Sequence, residues 1–344
     1  RLLLGALAGR PFSVTLDGDA SLRQRPMDRV AVPLSLMGAK VTGHGERCTP
    51  PVTVTGGPLQ GIEYAMPIAS AQVKSAILLA GLQAAGATTV IEPAPSRDHT
   101  ERMLAAFGAR IRCHYPVVSV DGGQTLRACE VSVPGDISSA AYLIAAALLV
   151  PGSELVIESV GVNPTRTGFL DILRETGFLD ILRAMGAQIE IVDTRSGMEP
   201  IADIRASHTQ LQGTEVGGEL IPRSIDELPI LAVLATQAEA VTVVRDAADL
   251  RAKECDRIAT IAKGLQAMGA DITPQQDGWI IHGPTPLRGA EIDAENDHRM
   301  AMCFAVAGLV ASGETIIHGA QAIATSFPGF AEVLSSVGAR VKQQ

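Results

Sequence analysis

Asp256-Arg257-Ile258-Ala259-Thr260-Ile261-Ala262-Lys263-Gly264-Leu265-Gln266-Ala267-Met268-Gly269-Ala270-Asp271-Ile272 is the stretch from which the fold can be read. Asp256 to Met268 is an amphipathic run that ends on a glycine. Glycine accepts the left-handed backbone conformation without penalty and is the usual residue just past a helix C-terminus. The β-branched residue three positions on starts a strand. The same ending, apolar-Gly-Ala-x-Ile/Val, occurs five times: Met37 to Val41, Phe107 to Ile111, Met185 to Ile189, Met268 to Ile272 and Val337 to Val341. Its glycines are 70, 78, 83 and 69 residues apart. A recurring spacing of this kind is the mark of a repeated architecture. Five copies with matched flanks argue against coincidence.

A second pattern interleaves with the first. Runs of small apolar residues lead through a turn to a β-branched strand, as in Ser70 to Ala84 then Thr88 to Ile91, and Ser138 to Val150 then Leu155 to Ile157. Asp226 to Ala235 then Val241 to Val244, and His298 to Val310 then Thr315 to Ile317, are further cases, and Leu2 to Ala8 then Phe12 to Leu16 is the end of another. A helix apolar nearly all round belongs in a core. Each unit is therefore expected to hold a buried helix, a strand, an amphipathic helix and further strands. Five units are visible; six, three per domain, would be a tidier two-domain arrangement. Arg1 falls inside what reads as a helix, so a first unit is expected to precede it.

Composition narrows the function. The 344 residues suffice for two domains. With 47% hydrophobic and 19% charged residues the chain is globular rather than disordered. A net charge of −9 disfavours nucleic-acid binding, yet a few focused Arg and Lys side chains can still bind phosphates. The five cysteines include no C-x-x-C pair, so neither a disulfide framework nor a zinc site is expected. No apolar run approaches the ~20 residues of a membrane helix, and no signal-peptide pattern is present. A cytoplasmic protein, a monomer without membrane association, is expected.

The polar residues cluster at helix beginnings. Buried helices start at Ser70-Ala71-Gln72, Asp136-Ile137-Ser138-Ser139, Asp226-Glu227 and Asp297-His298-Arg299. Amphipathic helices start at Arg23-Gln24-Arg25-Pro26, Ser96-Arg97-Asp98-His99, Asn163-Pro164-Thr165-Arg166, Lys253-Glu254-Cys255-Asp256-Arg257 and Thr325-Ser326-Phe327-Pro328. Capping accounts for Ser138, Asn163 and Ser326. It does not account for Arg25, Arg97, Lys253, Arg257 and Arg299, because a cation there faces the positive end of the helix dipole. Taken singly each is an ordinary surface residue; as a set they make sense if anions sit between the cations and the free backbone N–H groups. Asp226 and Glu254, placed among them, either exchange protons with a substrate or form ion pairs with neighbouring arginines.

These residues resemble those of the EPSP synthase (3-phosphoshikimate 1-carboxyvinyltransferase) family. The similar segments are Gly18 to Met27, Ala69 to Ser75, Asn163 to Gly168, Ile225 to Glu227, Arg251 to Arg257 and Asn296 to Met302, in the family's order and across nearly the whole chain. Ala69 to Ser75 and Ala324 to Phe330 look most like a bacterial branch. The resemblance implies an α/β (α+β) enolpyruvyl-transferase fold of two domains, 1–133 and 134–344, each built from three βαβαββ units with substrate in the cleft between them. It implies that Ser70, Ala71, Gln72, Arg97, Asp226 and Lys253 bind shikimate 3-phosphate, with Asp226 near the 5-hydroxyl that attacks. Arg25, Arg257, His298 and Arg299 would hold phosphoenolpyruvate, and Glu254 would protonate its methylene carbon. Addition followed by elimination needs no metal or redox cofactor.

Several features depart from the family. Its Lys-Ser, a nearby Arg and its Asn-Ala-Gly-Thr segment would lie before Arg1, so residues 1–344 alone are expected to be inactive. Cys255 stands where Ser or Thr is usual, and Thr325 where some members have Lys. Thr167 to Arg174 recurs unchanged as Thr176 to Arg183. Nine residues rotate a helix by about half a turn, so only one copy can face the core, and the second copy, in register with Gly186, is expected to do so. Gly177 is then the expected break. Two alternatives stand beside the main reading. The UDP-N-acetylglucosamine enolpyruvyl transferases share the fold but place a reactive Cys where Arg23 to Met27 has none. A non-catalytic remnant would fit the absent first unit and the duplication.

Overall fold

All five Gly-Ala endings take one backbone geometry in the computed structural model, which describes residues 1–167, 178–218 and 220–342. Gly38, Gly108, Gly186, Gly269 and Gly338 have φ between +79° and +110°. The next residue, Ala39, Ala109, Ala187, Ala270 or Ala339, donates its N–H to the carbonyl of a leucine five positions back, at 2.8–3.0 Å. This is the six-to-one bond of a Schellman ending, which satisfies a carbonyl the helix leaves open. The leucines, Leu34, Leu104, Leu182, Leu265 and Leu334, are each at most 4% exposed. Leu-x-x-x-Gly-Ala is thus the fuller repeat, and its leucine ties each helix end to a core. Four endings run into the strands Lys40–His44, Ile111–His114, Gln188–Arg195 and Asp271–Pro274. The fifth departs from expectation, since Val341 belongs to no strand among the described residues.

The chain divides into two compact units, Arg1–Ser132 and Val133–Gln344. In the first, strand Glu63–Ala65, helix Ala71–Gly81, strand Ala87–Ile91, helix His99–Ala106 and strands Ile111–His114 and Val117–Asp121 make one complete βαβαββ copy. Glu63–Ala65 pairs parallel with Ala87–Ile91, which pairs antiparallel with Val117–Asp121, which pairs antiparallel with Ile111–His114. In the second unit the same order recurs. Glu215–Val216 lies parallel to Ala240–Val244, and Trp279–Gly283 pairs antiparallel with both Ala240–Val244 and Asp271–Pro274. Another copy in this unit keeps three strands, and its first strand shrinks to a parallel bridge between Gly135 and Val160. The two remaining copies are partial.

Each unit has its own core. Helix Leu228–Ala235 is buried at all eight positions, as a helix apolar all round should be. Among the described residues no helix is long and apolar enough to cross a membrane. In the duplicated segment, Phe178, Leu179, Ile181 and Leu182 of helix Phe178–Ala184 are buried in the core, as expected for the second copy. Most of the first copy, and Gly177, lie outside the described residues.

Two capping expectations need correction. Asp136, not Ser138, caps helix Ile137–Leu149, because its carboxylate reaches the N–H groups of Ser138 and Ser139. Ser326 follows the 3-10 turn Ala320–Thr325, and the next helix, Phe330–Ser336, starts only after Gly329. Asn163 does accept from the Thr165 N–H at 2.8 Å and behaves as expected.

Candidate active site

In the second unit, three helix beginnings bring their polar residues to one place. Asp226 and Glu227 precede helix Leu228–Ala235. Lys253 to Asp256 link the 3-10 turn Ala248–Ala252 to helix Arg257–Ala267, which Asp256 caps through the Ala259 N–H. Asp297 caps helix His298–Gly308 by accepting from Arg299 and Met300 N–H groups. Asp226 is the meeting point. Its carboxylate lies 3.3 Å from Lys253 Nζ, 3.6 Å from Arg257 Nη1 and 3.8 Å from Arg299 Nη2. Arg299 Nη1 also donates to the Asp226 carbonyl at 3.1 Å. Of the expected residues in this unit, Asp226, Lys253, Glu254, Arg257 and Arg299 therefore form one network, with His298 beside it in sequence.

Arg257 is only 1% exposed, far from the solvated arginine that such a position suggests when taken alone. A buried charge must be paired and hydrogen-bonded. Arg257 Nε donates to Asp297 Oδ2 at 2.8 Å and Nη2 to Glu254 Oε2 at 2.6 Å. Nη1 has no hydrogen-bond acceptor among the described residues. Burial opposes ionisation of both Arg257 and Asp297, but their mutual attraction wins: the Arg257 pKa is raised and the Asp297 pKa lowered. Both Asp226 and Glu254 are ion-paired here, which is one of the two roles open to them from sequence. Burial, reinforced by the charges of Arg299 and Arg257, lowers the His298 pKa despite the attraction of Asp297, so His298 is neutral near pH 7.

Four further residues complete the network and are not candidates from sequence. Asp297 pairs with Arg257. Glu227, 4% exposed, accepts from the Ser138 hydroxyl and lies 4.0 Å from Arg299 Nη1. Tyr142, fully buried, lies close enough to Arg299 to contribute to its raised pKa. Burial would lower the Arg299 pKa, but Tyr142, Asp226 and Glu227 together raise it. The available signal was the spacing of Ser138 and Tyr142, two hydroxyls four residues apart on one face of an otherwise apolar helix.

In the first unit, Ser70 caps helix Ala71–Gly81 through the Val73 N–H. Gln72 accepts a hydrogen bond from Arg1 Nη1, and Arg1 Nη2 donates to the Pro26 carbonyl at 3.2 Å. Arg1 thus joins Gln72 to the Arg25-Pro26 corner, which sequence reasoning missed. Burial and the charges of Arg25 and Arg29 lower the Arg1 pKa. Arg25 does not open an amphipathic helix as expected. It follows the short helix Ala20–Gln24, three residues before helix Asp28–Leu36. Arg97 is exposed, two residues before helix His99–Ala106.

The family model for EPSP synthase (3-phosphoshikimate 1-carboxyvinyltransferase) matches residues 1–334. The chain belongs to the EPSP synthase family. A 3-phosphoshikimate 1-carboxyvinyltransferase of Brevibacillus brevis is 52% identical over 338 residues, which is 98% of this chain and 77% of the relative. That of Bacillus licheniformis is 51% identical over 334 residues, 96% of this chain and 76% of the relative. The structure of an EPSP synthase from Acinetobacter baumannii superposes with a TM-score of 0.89 at 47% identity, covering 100% of this chain and 78% of that one. EPSP synthase membership accounts for the repeated βαβαββ copies, and the names of these relatives disfavour the UDP-N-acetylglucosamine alternative.

Proposed function

We propose that this chain transfers the enolpyruvyl group of phosphoenolpyruvate to the 5-hydroxyl of shikimate 3-phosphate, releasing phosphate. The observation that carries the proposal is the Asp226 network: three cations from two helix beginnings set around one carboxylate, with Glu254 attached. Such a site holds anions and can move a proton beside them. Lys253 and Asp226, with Ser70, Ala71, Gln72 and Arg97 of the first unit, bind shikimate 3-phosphate. Arg25, Arg257, His298 and Arg299 bind phosphoenolpyruvate.

Asp226 accepts the proton of the 5-hydroxyl as its oxygen bonds to the phosphoenolpyruvate carbon that carries the phosphate. Glu254 delivers a proton to the methylene carbon, giving a tetrahedral adduct. The C–O bond to phosphate then breaks, the methyl group returns a proton, and the double bond is restored. Arg257 and Arg299 stabilise charge on the carboxylate and the leaving phosphate throughout, and the Arg257 Nη1 donor, without a hydrogen-bond acceptor among the described residues, suits an anionic oxygen. The enzyme acts on free small molecules as a cytoplasmic monomer, apart from membranes and nucleic acid; its net charge of −9 supports the last point.

Phosphate release by the purified protein tests the proposal. Release should require both substrates together and should stop when UDP-N-acetylglucosamine replaces shikimate 3-phosphate. Release from phosphoenolpyruvate with UDP-N-acetylglucosamine, or none with the correct pair, would overturn it.

A further inference from the structure

A second buried ionic cluster lies in the first unit, apart from the residues assigned above. Lys74, 1% exposed, places Nζ 2.9 Å from Glu92 Oε2 and 2.5 Å from Glu101 Oε1, and both glutamates are 5% exposed. An apolar trio of similar volume is commonly as stable as a buried ionic one, so stability alone is a weak reason for these charges. Their placement supplies another. Lys74 lies one turn into the helix that starts at Ser70 to Gln72. Glu92 and Glu101 bracket the segment carrying Ser96-Arg97, and Ser96 Oγ donates back to Glu92 Oε1. Pro93 and Pro95 restrict the backbone between them. Beside Lys74, the Ser75 hydroxyl meets the Thr100 hydroxyl at 2.6 Å, a second tie between the same two pieces.

We propose that Lys74, Glu92 and Glu101 form a positioning cluster that fixes Ser96-Arg97 against the helix start Ser70 to Gln72 and thereby sets the affinity for the phosphorylated substrate. This rests on the assignment of Ser70, Gln72 and Arg97 to shikimate 3-phosphate. The cluster touches no substrate and acts only through Arg97. Two carboxylates share one cation, and Glu101 Oε2 has no hydrogen-bond partner among the described residues. Burial pushes the Glu101 carboxyl up against the pull of Lys74.

The test compares Arg97→Ala, the apolar triple Lys74→Met/Glu92→Leu/Glu101→Leu, and their combination in the purified protein, by steady-state kinetics. The triple should raise KM for shikimate 3-phosphate at least tenfold, with kcat and the phosphoenolpyruvate KM changed less than threefold. In the Arg97→Ala background the triple should add less than twofold, because residues acting through one another are not additive. If Arg97→Ala raises this KM and the triple does not, the positioning role is wrong while the assignment of Arg97 stands. If Arg97→Ala changes nothing, the assignment itself fails and this inference with it. An equal penalty with and without Arg97 means a structural role only and also overturns the proposal. Ser96→Ala keeps the proposal testable if the triple does not fold. It cuts the tie while leaving the buried charges intact, and should raise the same KM threefold or more without lowering Tm, with Ser96→Thr restoring it; an unchanged KM overturns the proposal.

Discussion

Glu254 and Arg257 stand three residues apart, at the beginning of one helix, with 2.6 Å between their charged groups. Their contact is cheap to keep and cheap to break, since Glu254 is partly exposed and Arg257 retains Asp297. Glu254→Gln preserves shape and one hydrogen bond but removes the acid. It should lower kcat by roughly 10²–10⁴-fold with little change in the phosphoenolpyruvate KM, and a loss of less than several-fold would reassign Glu254 to the ion pair. Asp297 is the opposite case, with 0% exposure. Removing its charge strands Arg257, and Asp297→Asn should cost about 3–5 kcal/mol in urea unfolding. The pH dependence has a definite sign. The folded-state pKa of Asp297 lies below its unfolded value, so its contribution is present above roughly pH 4 and lost as pH falls through the lower folded value. The urea midpoint of the wild type should fall more steeply below about pH 4 than that of Asp297→Asn, and parallel curves would remove the pair from the account. The cations at these helix beginnings were legible as an anomaly of charge and dipole. Asp226 and Glu254 were legible beside them as possible partners; Asp297 was not, because it reads equally well as an ordinary cap, and it is one as well.

At the scale of elements, the five Schellman endings convert one short motif into five changes of chain direction. Gly269 has φ of +93°, and a Cβ added there would meet only the Pro286 carbonyl oxygen at 3.8 Å. Space is therefore not the constraint, and Gly269→Ala should isolate the backbone cost, about 1–2 kcal/mol. Leu265→Ala, which empties a fully buried position, should cost about 2–5 kcal/mol. Equal or reversed effects in denaturant unfolding would show that the ending is held by something other than the glycine conformation and the leucine anchor. The glycine and the strand after it could be read in sequence because both are local conformational preferences. Among the described residues the final copy has no strand after its glycine; a strand needs a neighbour to pair with, which no local pattern supplies.

For the whole molecule, the two cores share no residue: one runs from Leu4 to Val120, the other from Ile137 to Leu334. The sole tryptophan, Trp279, is fully buried in the second and donates its indole N–H to the Ile258 carbonyl at 3.0 Å. Residues 133–344 expressed alone should therefore fold, with blue-shifted tryptophan emission and a cooperative unfolding transition. Red-shifted emission without a cooperative transition would show that this core is not self-sufficient.

The repeat, the helix and strand types, and the helix beginnings that carry cations were determined by the sequence alone. Each rests on interactions within about a turn of chain: a glycine at positive φ, apolar spacing, a charge against a dipole. Which groups meet was decided only by the tertiary structure. Lys74 sits within a recognisable motif, yet its role depends on Glu92 and Glu101, contributed after a strand and by another helix. Ser138 looks like a cap until Glu227, eighty-nine residues away in the chain, takes its hydroxyl. Buried polar groups must find partners wherever packing places them, and packing is a property of the folded chain that local sequence does not encode.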